Sequence, residues 1–378
     1  MKPRSQTSQS GVALIIVMIS VVVLTLLAGA LARSMRVETR LAINANNSVE
    51  LEWMGRSGVE WAKMILGEQL KIGQEPYDSL NQIWAGGPGG VGMSNSPLAD
   101  MPNQIELGNG VVYKPEIIDL DRKANINKAG EPMLQQALIL AGVDAGDIPT
   151  IVNSILDWID PDDMEHTDGA ESDYYQSFDP PYYAKDGPID DLSELLFVQG
   201  ITRELYLGGG AGGLPPIRMP QQNSRSRLGF QEPPATAAAG VGLAELFTAV
   251  SSGRININTA PASVLQLLPF VDERAAGEII RMRAGPDAAD GTEDDIPYRN
   301  PGELINAGLP NQVVQQLTGL CDVRSRIFEV RVTAEIQGYK RKFIAIVARN
   351  SPKDIQTLTF RSEDDFGAGA VSPTDPAF

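Results

Sequence analysis

The chain has 378 residues, a formal charge of −17, one cysteine and one histidine. That length is sufficient for two or three domains. The single Cys321 excludes an intramolecular disulfide, so stability must come from packing or metal. The acidic balance argues against a phosphate-backbone partner, since nucleic-acid binding draws on clustered Lys and Arg, but it does not exclude cation binding.

Residues 11–31, GVALIIVMISVVVLTLLAGAL, are an uncharged apolar run behind a short leader whose only charges are Lys2 and Arg4. As a helix the run spans about 30 Å, enough for the hydrocarbon core of a bilayer, and no face of it is polar, as a core helix of a soluble domain would require. A cleaved secretory signal has a shorter apolar core and a small-x-small site, which residues 27–32 imitate. Beyond Arg33, however, Leu41, Leu51, Met54, Val59, Ala62 and Leu66 continue at mixed helical spacings. One helix is therefore expected from about residue 12 to near residue 70, half in lipid and half in water.

With this arrangement the N terminus resembles the type IV pilin-like proteins, the pilins and pseudopilins. The resemblance implies that a prepilin peptidase cuts after Gly11, so that the mature chain starts at Val12 and keeps its anchor. The fifth mature residue is then Ile16, where most of that family carries Glu. A carboxylate in the bilayer costs about 2.5–3.5 kcal/mol unless something pairs with it, and in the family the partner is the N-terminal amine of the subunit ahead. Ile16 cannot make that pair, which suits a subunit with none ahead of it, at the filament tip.

Residues 85–102, rich in Gly, Pro, Ser and Asn, read as a loop leaving the long helix. Residues 104–119 give two short apolar segments around Gly108, Asn109 and Gly110, the pattern of a hairpin. A second hairpin is expected near the end: Phe328, Val330, Val332, Ala334 and Ile336 alternate with polar residues, and after Gly338 the alternation resumes at Phe343, Ala345 and Val347. Strict period two means one buried face, for which the water-exposed half of the N-terminal helix is the natural cover. Residues 350–378 have no sustained period and read as a flexible tail.

Between the hairpins lie about 200 residues of mostly helical pattern with a weak internal repeat: the first copy opens with ANINKA at 124–129, the second with ININTAP at 255–261. Asn127 in one, and Asn258 or Thr259 before Pro261 in the other, are helix-cap signals. Residues 263–283 with the later ELINAGL are similar to helix-hairpin-helix modules. In DNA-binding members of that group a glycine-rich hairpin offers backbone amides to phosphate, whereas this turn reads Phe270, Val271, Asp272, Glu273. The resemblance is one of fold, with no nucleic acid expected.

The chemistry of this region is concentrated in two acidic loops. From residue 157 to 191 the carboxylates include Asp160, Asp162, Asp163, Glu165, Asp168, Glu171, Asp173 and Asp179, with Lys185 as the one base. At this density like charges repel unless solvated or bridged, and calcium takes six to eight oxygens from such loops. We expect ligands among Asp160, Asp162, Asp168, Glu171 and Asp173, and a second set from Asp287, Asp290, Asp294 and Asp295 around Gly291, although the spacing is not that of an EF-hand. Two solvated acidic loops are the plainer alternative. The aromatic residues Tyr174, Tyr175, Phe178, Tyr182 and Tyr183 read as local core or, alternatively, as a recognition surface. Catalysis finds little support: His166 lies within the acidic loop, Cys321 has no local motif, and no HExxH, CxxC, Walker or dinucleotide pattern is present.

Taken with GVALIIVM lacking Glu at Ile16, the DWID and GAESDYY segments, DDLSELLFVQGIT, ININTAPASVL and the closing strands make the chain similar to the K-type minor pseudopilins of bacterial type II secretion systems. The resemblance implies an α+β fold: a pilin-like N-terminal transmembrane helix packed on an antiparallel sheet, with a large, mostly α-helical domain of two helix-hairpin-helix-like copies inserted between strands. The corresponding boundaries are leader 1–11, N-terminal helix 12–72 with 12–32 in the membrane, and loop and first strands 73–121. The inserted domain is 122–326 (copies 122–207 and 241–326, linker 208–240), followed by strands 327–349 and tail 350–378. It further implies calcium in the helical domain and a single-pass position in the inner membrane with the bulk in the periplasm. The implied partners are other minor pseudopilins in a tip complex and the major pseudopilin; no enzymatic activity is implied. A tip minor pilin of a type IV pilus and a membrane-anchored helix-hairpin-helix DNA receptor are the rivals.

Overall fold

The computed structural model describes residues 10–89, 96–209 and 240–363. The chain opens with α1 (Ser10–Gln69) and a first group of strands, β1 (Gln104–Leu107), β2 (Gly110–Tyr113) and β3 (Glu116–Asp119). A helical lobe follows: β4 (Ala124–Asn125), α2 (Glu131–Leu140), α3 (Ile148–Ile159), α4 (Ser172–Tyr175), α5 (Arg203–Leu207), α6 (Leu243–Leu246), β5 (Phe247–Thr248), β6 (Ile255–Asn256), α7 (Ala262–Leu265), α8 (Glu273–Arg283), α9 (Asn311–Leu317) and β7 (Cys321–Asp322). The chain then returns to the sheet through β8 (Ile327–Ile336), β9 (Tyr339–Ser351) and β10 (Asp354–Ser362). Proline-free and rich in Ala, Leu, Met and Glu, α1 runs without interruption. Its segment Leu14–Arg36 is long and apolar enough to cross a membrane, and nothing in the described structure buries it.

The sheet is antiparallel with order β1-β2-β8-β9-β10, and β3 also pairs with β8. Because Asp119 at the end of β3 pairs with Phe328 near the start of β8, the intervening lobe is an insertion between hydrogen-bonded neighbours. Phe328, Val330, Val332, Ala334 and Ile336 point inward from β8, and Phe343, Ala345 and Val347 from β9, against Leu51, Met54, Ala62, Ile65 and Leu66 of α1. Period two on the sheet thus meets helical period on α1, each burying one face.

Two glycines set the closeness of that approach. A Cβ on Gly58 would lie 2.3 Å from Val332 Cγ1, and one on Gly55 2.5 Å from the Phe343 ring. Gly58→Ala should therefore destabilise the chain by up to about 2 kcal/mol, because overpacking of about 1–3 kcal/mol opposes the gain of about 1 kcal/mol in helix propensity. Urea unfolding of the full chain in detergent reads the sign, and a variant more stable than wild type would show that the helix is not pressed on the sheet.

The flexible tail expected from residue 350 is corrected over 350–362. Those residues finish β9 and form β10, whose Ile355 and Phe360 pack on the sheet core. Register shifts between Asp354 and Ile355 and between Thr357 and Thr359 break the alternation, which is why no period is legible there. Residues 364–378, the leader residues 1–9 and linker residues 210–239 lie outside the described residues.

One continuous apolar core, from Ala124 to Val323, spans both halves of the helical lobe. The repeated asparagines do the same work in each half. Asn125 Oδ1 accepts from Asn127 N at 2.9 Å, and Asn127 donates to Ile189 O and accepts from Ile189 N. In the second half Asn256 Oδ1 accepts from Asn258 N at 2.9 Å, and Asn258 makes the same two-pronged contact with Tyr298. Each asparagine pair thereby satisfies backbone groups at a bend and ties it to a segment distant in sequence.

A buried polar cluster joins lobe and sheet. Arg349 of β9 pairs with Asp78, donates to Ser325 O at 2.7 Å and lies 4.7 Å from the centroid of the Phe328 ring. Asp119 at the end of β3 accepts from Thr259 Oγ1 at 2.5 Å and Ser325 Oγ at 2.6 Å. Asp121 accepts from the amides of Ser252 and Arg326. Burial, followed by the neighbouring Asp121 carboxylate, pushes Asp119 up to about 7 against the pull of its hydroxyl donors.

Candidate metal centre

The amphipathic α3 buries Ile148, Ile151, Val152 and Ile155, and in its last turn Asp157 is buried as well. That carboxylate organises the loop that follows: Oδ1 accepts from His166 N at 3.1 Å and contacts His166 Nδ1, and Oδ2 accepts from Ala170 N at 2.8 Å. Asn153 Nδ2 donates to Thr167 O at 2.7 Å. Gly169 is obligatory for this wrap, since a Cβ there would lie 1.9 Å from Asp157 Oδ2. The hydrogen bond to Asp157 raises the His166 pKa above its ordinary value.

The wrap carries Glu171 inward. It is 5% exposed, and both of its carboxylate oxygens are buried without a hydrogen-bond partner. Asp163, Glu171 and Asp186 each bring a carboxylate oxygen within 4.8 Å of the others, and Asp157, Asp160 and His166 form a second such group. One oxygen each of Asp160 and Asp186 is likewise buried and unpartnered. Burial, then the surrounding carboxylates led by Asp157, pushes Glu171 up to about 7. Asp160 and Asp186 are raised for the same reasons, burial first.

Orphaned buried carboxylates are costly unless protonated or bridged. These residues fit a hard divalent cation: the Glu171 group offers oxygen donors only, on loops able to add carbonyls, which is calcium chemistry more than zinc. The side chains that cluster are not the same as the expected ligands. Glu171 is central and Asp160 stands in the second group, whereas Asp162 caps Met164 N at 3.0 Å and Asp168 and Asp173 face solvent, outside both groups. Asp157, Asp163 and Asp186 were not among the expected ligands. Of these only Asp157 left a signal, as a carboxylate at i+3 from a buried serine on an amphipathic helix.

The second acidic loop does not gather a comparable group among the described residues. Asp290 is held by buried Arg283 through bonds of 2.9 and 2.7 Å. Asp294 accepts from Thr292 Oγ1 and Asp287 N, Asp295 from the amides of Gly291 and Thr292, and Asp287 from Ala289 N. Asp287, Asp290, Asp294 and Asp295, the second set of expected ligands, thus have their oxygens engaged by an arginine and by the loop's own donors. Cys321 is buried, and burial pushes its thiol up to about 12, far from a reactive thiolate.

Residues 111–208, which include all six clustered side chains, match the family model described as "Type II secretion system (T2SS), protein K". Over 211 residues the chain is 26% identical to an Escherichia coli K12 protein assigned as type II secretion system protein K, covering 52% of this chain and 60% of that protein. It is 25% identical over 206 residues to the type II secretion system protein K of Aeromonas hydrophila, covering 52% of this chain and 61% of that protein. The matches thus span about three fifths of the length of these relatives. In fold it is similar to a chain of the GspK-GspI-GspJ complex from the enterotoxigenic Escherichia coli type 2 secretion system, with a TM-score of 0.59 and 19% identity over 84% of this chain and 98% of that one. The family match over residues 111–208 and these relatives support assignment of the chain to the type II secretion system protein K family.

Proposed function

We propose that the chain is a minor pseudopilin of a type II protein secretion system, with a structural and not an enzymatic role. The observation that carries this reading is α1: an uncovered apolar segment, Leu14–Arg36, continues without a break into the stretch that packs on the sheet. Such a helix anchors in a bilayer at one end and carries a folded lobe at the other. In the proposed sequence of events a prepilin peptidase cuts between Gly11 and Val12, and the apolar half packs beside partner helices in the inner membrane. The lobe stands above them in the periplasm. Exposed Val49 and Trp53 extend the apolar surface of α1 past the membrane segment and suit the same lateral packing. The solved complex that the fold resembles unites GspK with GspI and GspJ. Other minor pseudopilins, and below them the major pseudopilin, are therefore the proposed partners.

Ile16 favours the tip position, since it offers no carboxylate to a subunit ahead, and the inserted lobe would obstruct addition of another subunit there. The two halves of that lobe act as helix-hairpin-helix-like building blocks without phosphate binding. Phe270 occupies a left-handed position, with φ of 65°, where a phosphate-binding hairpin uses glycine, and Asp272 already accepts from Ala275 N at the start of α8. Calcium at the Glu171 group is the proposed structural ion, held by Asp163, Glu171 and Asp186, with Asp160 beside them; its contribution is to neutralise and tie these loops. Deleting the gene in its host tests the role: export of folded proteins should stop and return with the wild-type gene. Intact export with loss of pili would transfer the chain to a pilus system.

A further inference from the structure

Glu171 and Asp186 bracket a single loop, residues 172–185, whose two ends meet at the metal group. The loop carries a row of aromatic rings. Tyr174 packs edge-on against Phe178 at 5.3 Å, Phe178 stacks on Tyr182 at 5.9 Å, and Tyr182 meets Phe197 at 5.9 Å. Beneath the row Tyr175 is fully buried against Trp158, so the inner part of the cluster is core. The outer part is not. Tyr174 is 38% exposed, Phe197 46%, and Tyr183 on the same loop 69%. Asp173 and Asp179 flank these rings, exposed and without an ionic or hydrogen-bonded partner among the described residues.

We propose that loop 172–185 presents a docking strip for a cationic, apolar segment of a partner polypeptide, and that the strip is competent only when a cation closes the loop at Glu171 and Asp186. The occupant follows from charge and ring chemistry. Two unpaired carboxylates beside exposed aromatic faces select Lys or Arg, which can pair with the former and lie over the latter, while the rings take up intervening apolar side chains. Closure matters because the rings hang on the segment between the two ligands. Without the ion, repulsion between the two carboxylates opposes the loop geometry that aligns Tyr174 with Phe178 and Tyr182. The proposal rests on the calcium reading above, and its test separates the two.

The full chain in detergent is titrated with a fluorescein-labelled decapeptide of alternating arginine and leucine at physiological salt, with calcium or with a chelator, while calcium binding is measured separately by calorimetry. Saturable binding is expected with calcium and is weakened about tenfold, some 1.4 kcal/mol, by chelator, by Tyr174→Ser, and by Asp173→Asn combined with Asp179→Asn. The three substitutions lie outside the metal group and should leave calcium binding unchanged. An arginine–glycine peptide should bind far more weakly. Calcium binding without peptide binding, or peptide binding that survives both chelator and Tyr174→Ser as adsorption to micelles would, overturns the strip. Absence of calcium binding overturns the metal reading on which it rests.

Discussion

Arg349→Met is expected to destabilise the chain by about 3–5 kcal/mol, the range for removing one partner of a buried ion pair. Both side chains of the Arg349–Asp78 pair are almost wholly buried, so the substitution leaves a carboxylate without a counter-ion beside Asp119 and Asp121. It also removes the donors to Ser325 O and Leu66 O and the cation over Phe328. The cluster is built from the segment after α1, the end of β3, the start of the second half of the lobe and the end of β9, so the damage should fall on the attachment of lobe to sheet. Urea unfolding of the full chain in detergent measures it. A double variant, Asp78→Leu with Arg349→Met, should recover much of the loss, because the penalty lies in the orphaned charge more than in the lost pair. A loss below about 1 kcal/mol in the single variant would show that the cluster is hydrated and not a junction.

Glu171→Gln should abolish calcium-dependent stabilisation. With calcium at a hundredfold excess over its dissociation constant, wild type gains about 2.7 kcal/mol, a rise of a few degrees in melting temperature, and the variant gains almost nothing. In chelator at pH 8 the order reverses and the variant melts at or above wild type, because it no longer buries an uncompensated charge. The pH dependence has a defined sign. Burial and neighbouring carboxylates raise Glu171 from 4.5 to about 7 in the folded chain, so the folded state holds its proton more tightly than the unfolded state. The contribution of Glu171 to the stability of the metal-free chain is fully present below the unfolded value and is lost as pH rises to about 7. Asp119 contributes a loss over an overlapping window, from 3.8 to about 7, so the difference between wild type and Glu171→Gln isolates the metal group. Calcium should remove that difference by favouring the ionised carboxylate. Equal melting curves for the two proteins in calcium and in chelator would exclude a structural ion at Glu171.

Where function leans on local spacing the sequence is informative. The long helix, the alternating strands of β8 and β9 and the asparagine repeat are all legible, since each depends on residues two to four apart. Asn127 and Asn258 recur in sequence because both halves of the lobe use the same contact. β10 is hidden because its bulges break the period. In the first acidic loop Glu171 is visible as one carboxylate among many, but nothing in the spacing links it to Asp186 across the aromatic loop or singles out Asp163 from its equally exposed neighbour Asp162. The second acidic loop misleads for a related reason. Counting carboxylates does not show which ones an arginine seven residues away will take, and Arg283 takes Asp290. The identity of a buried charge's partner is a tertiary fact.

On the proposed reading α1 is a retained pseudopilin helix. Intact-mass and N-terminal peptide mass spectrometry of the protein from its native membrane tests it most directly. A retained helix gives a mature chain that begins at Val12 and keeps Ile16 and the whole apolar segment. A chain that begins beyond Leu31 would have lost its anchor and could not be a pseudopilin.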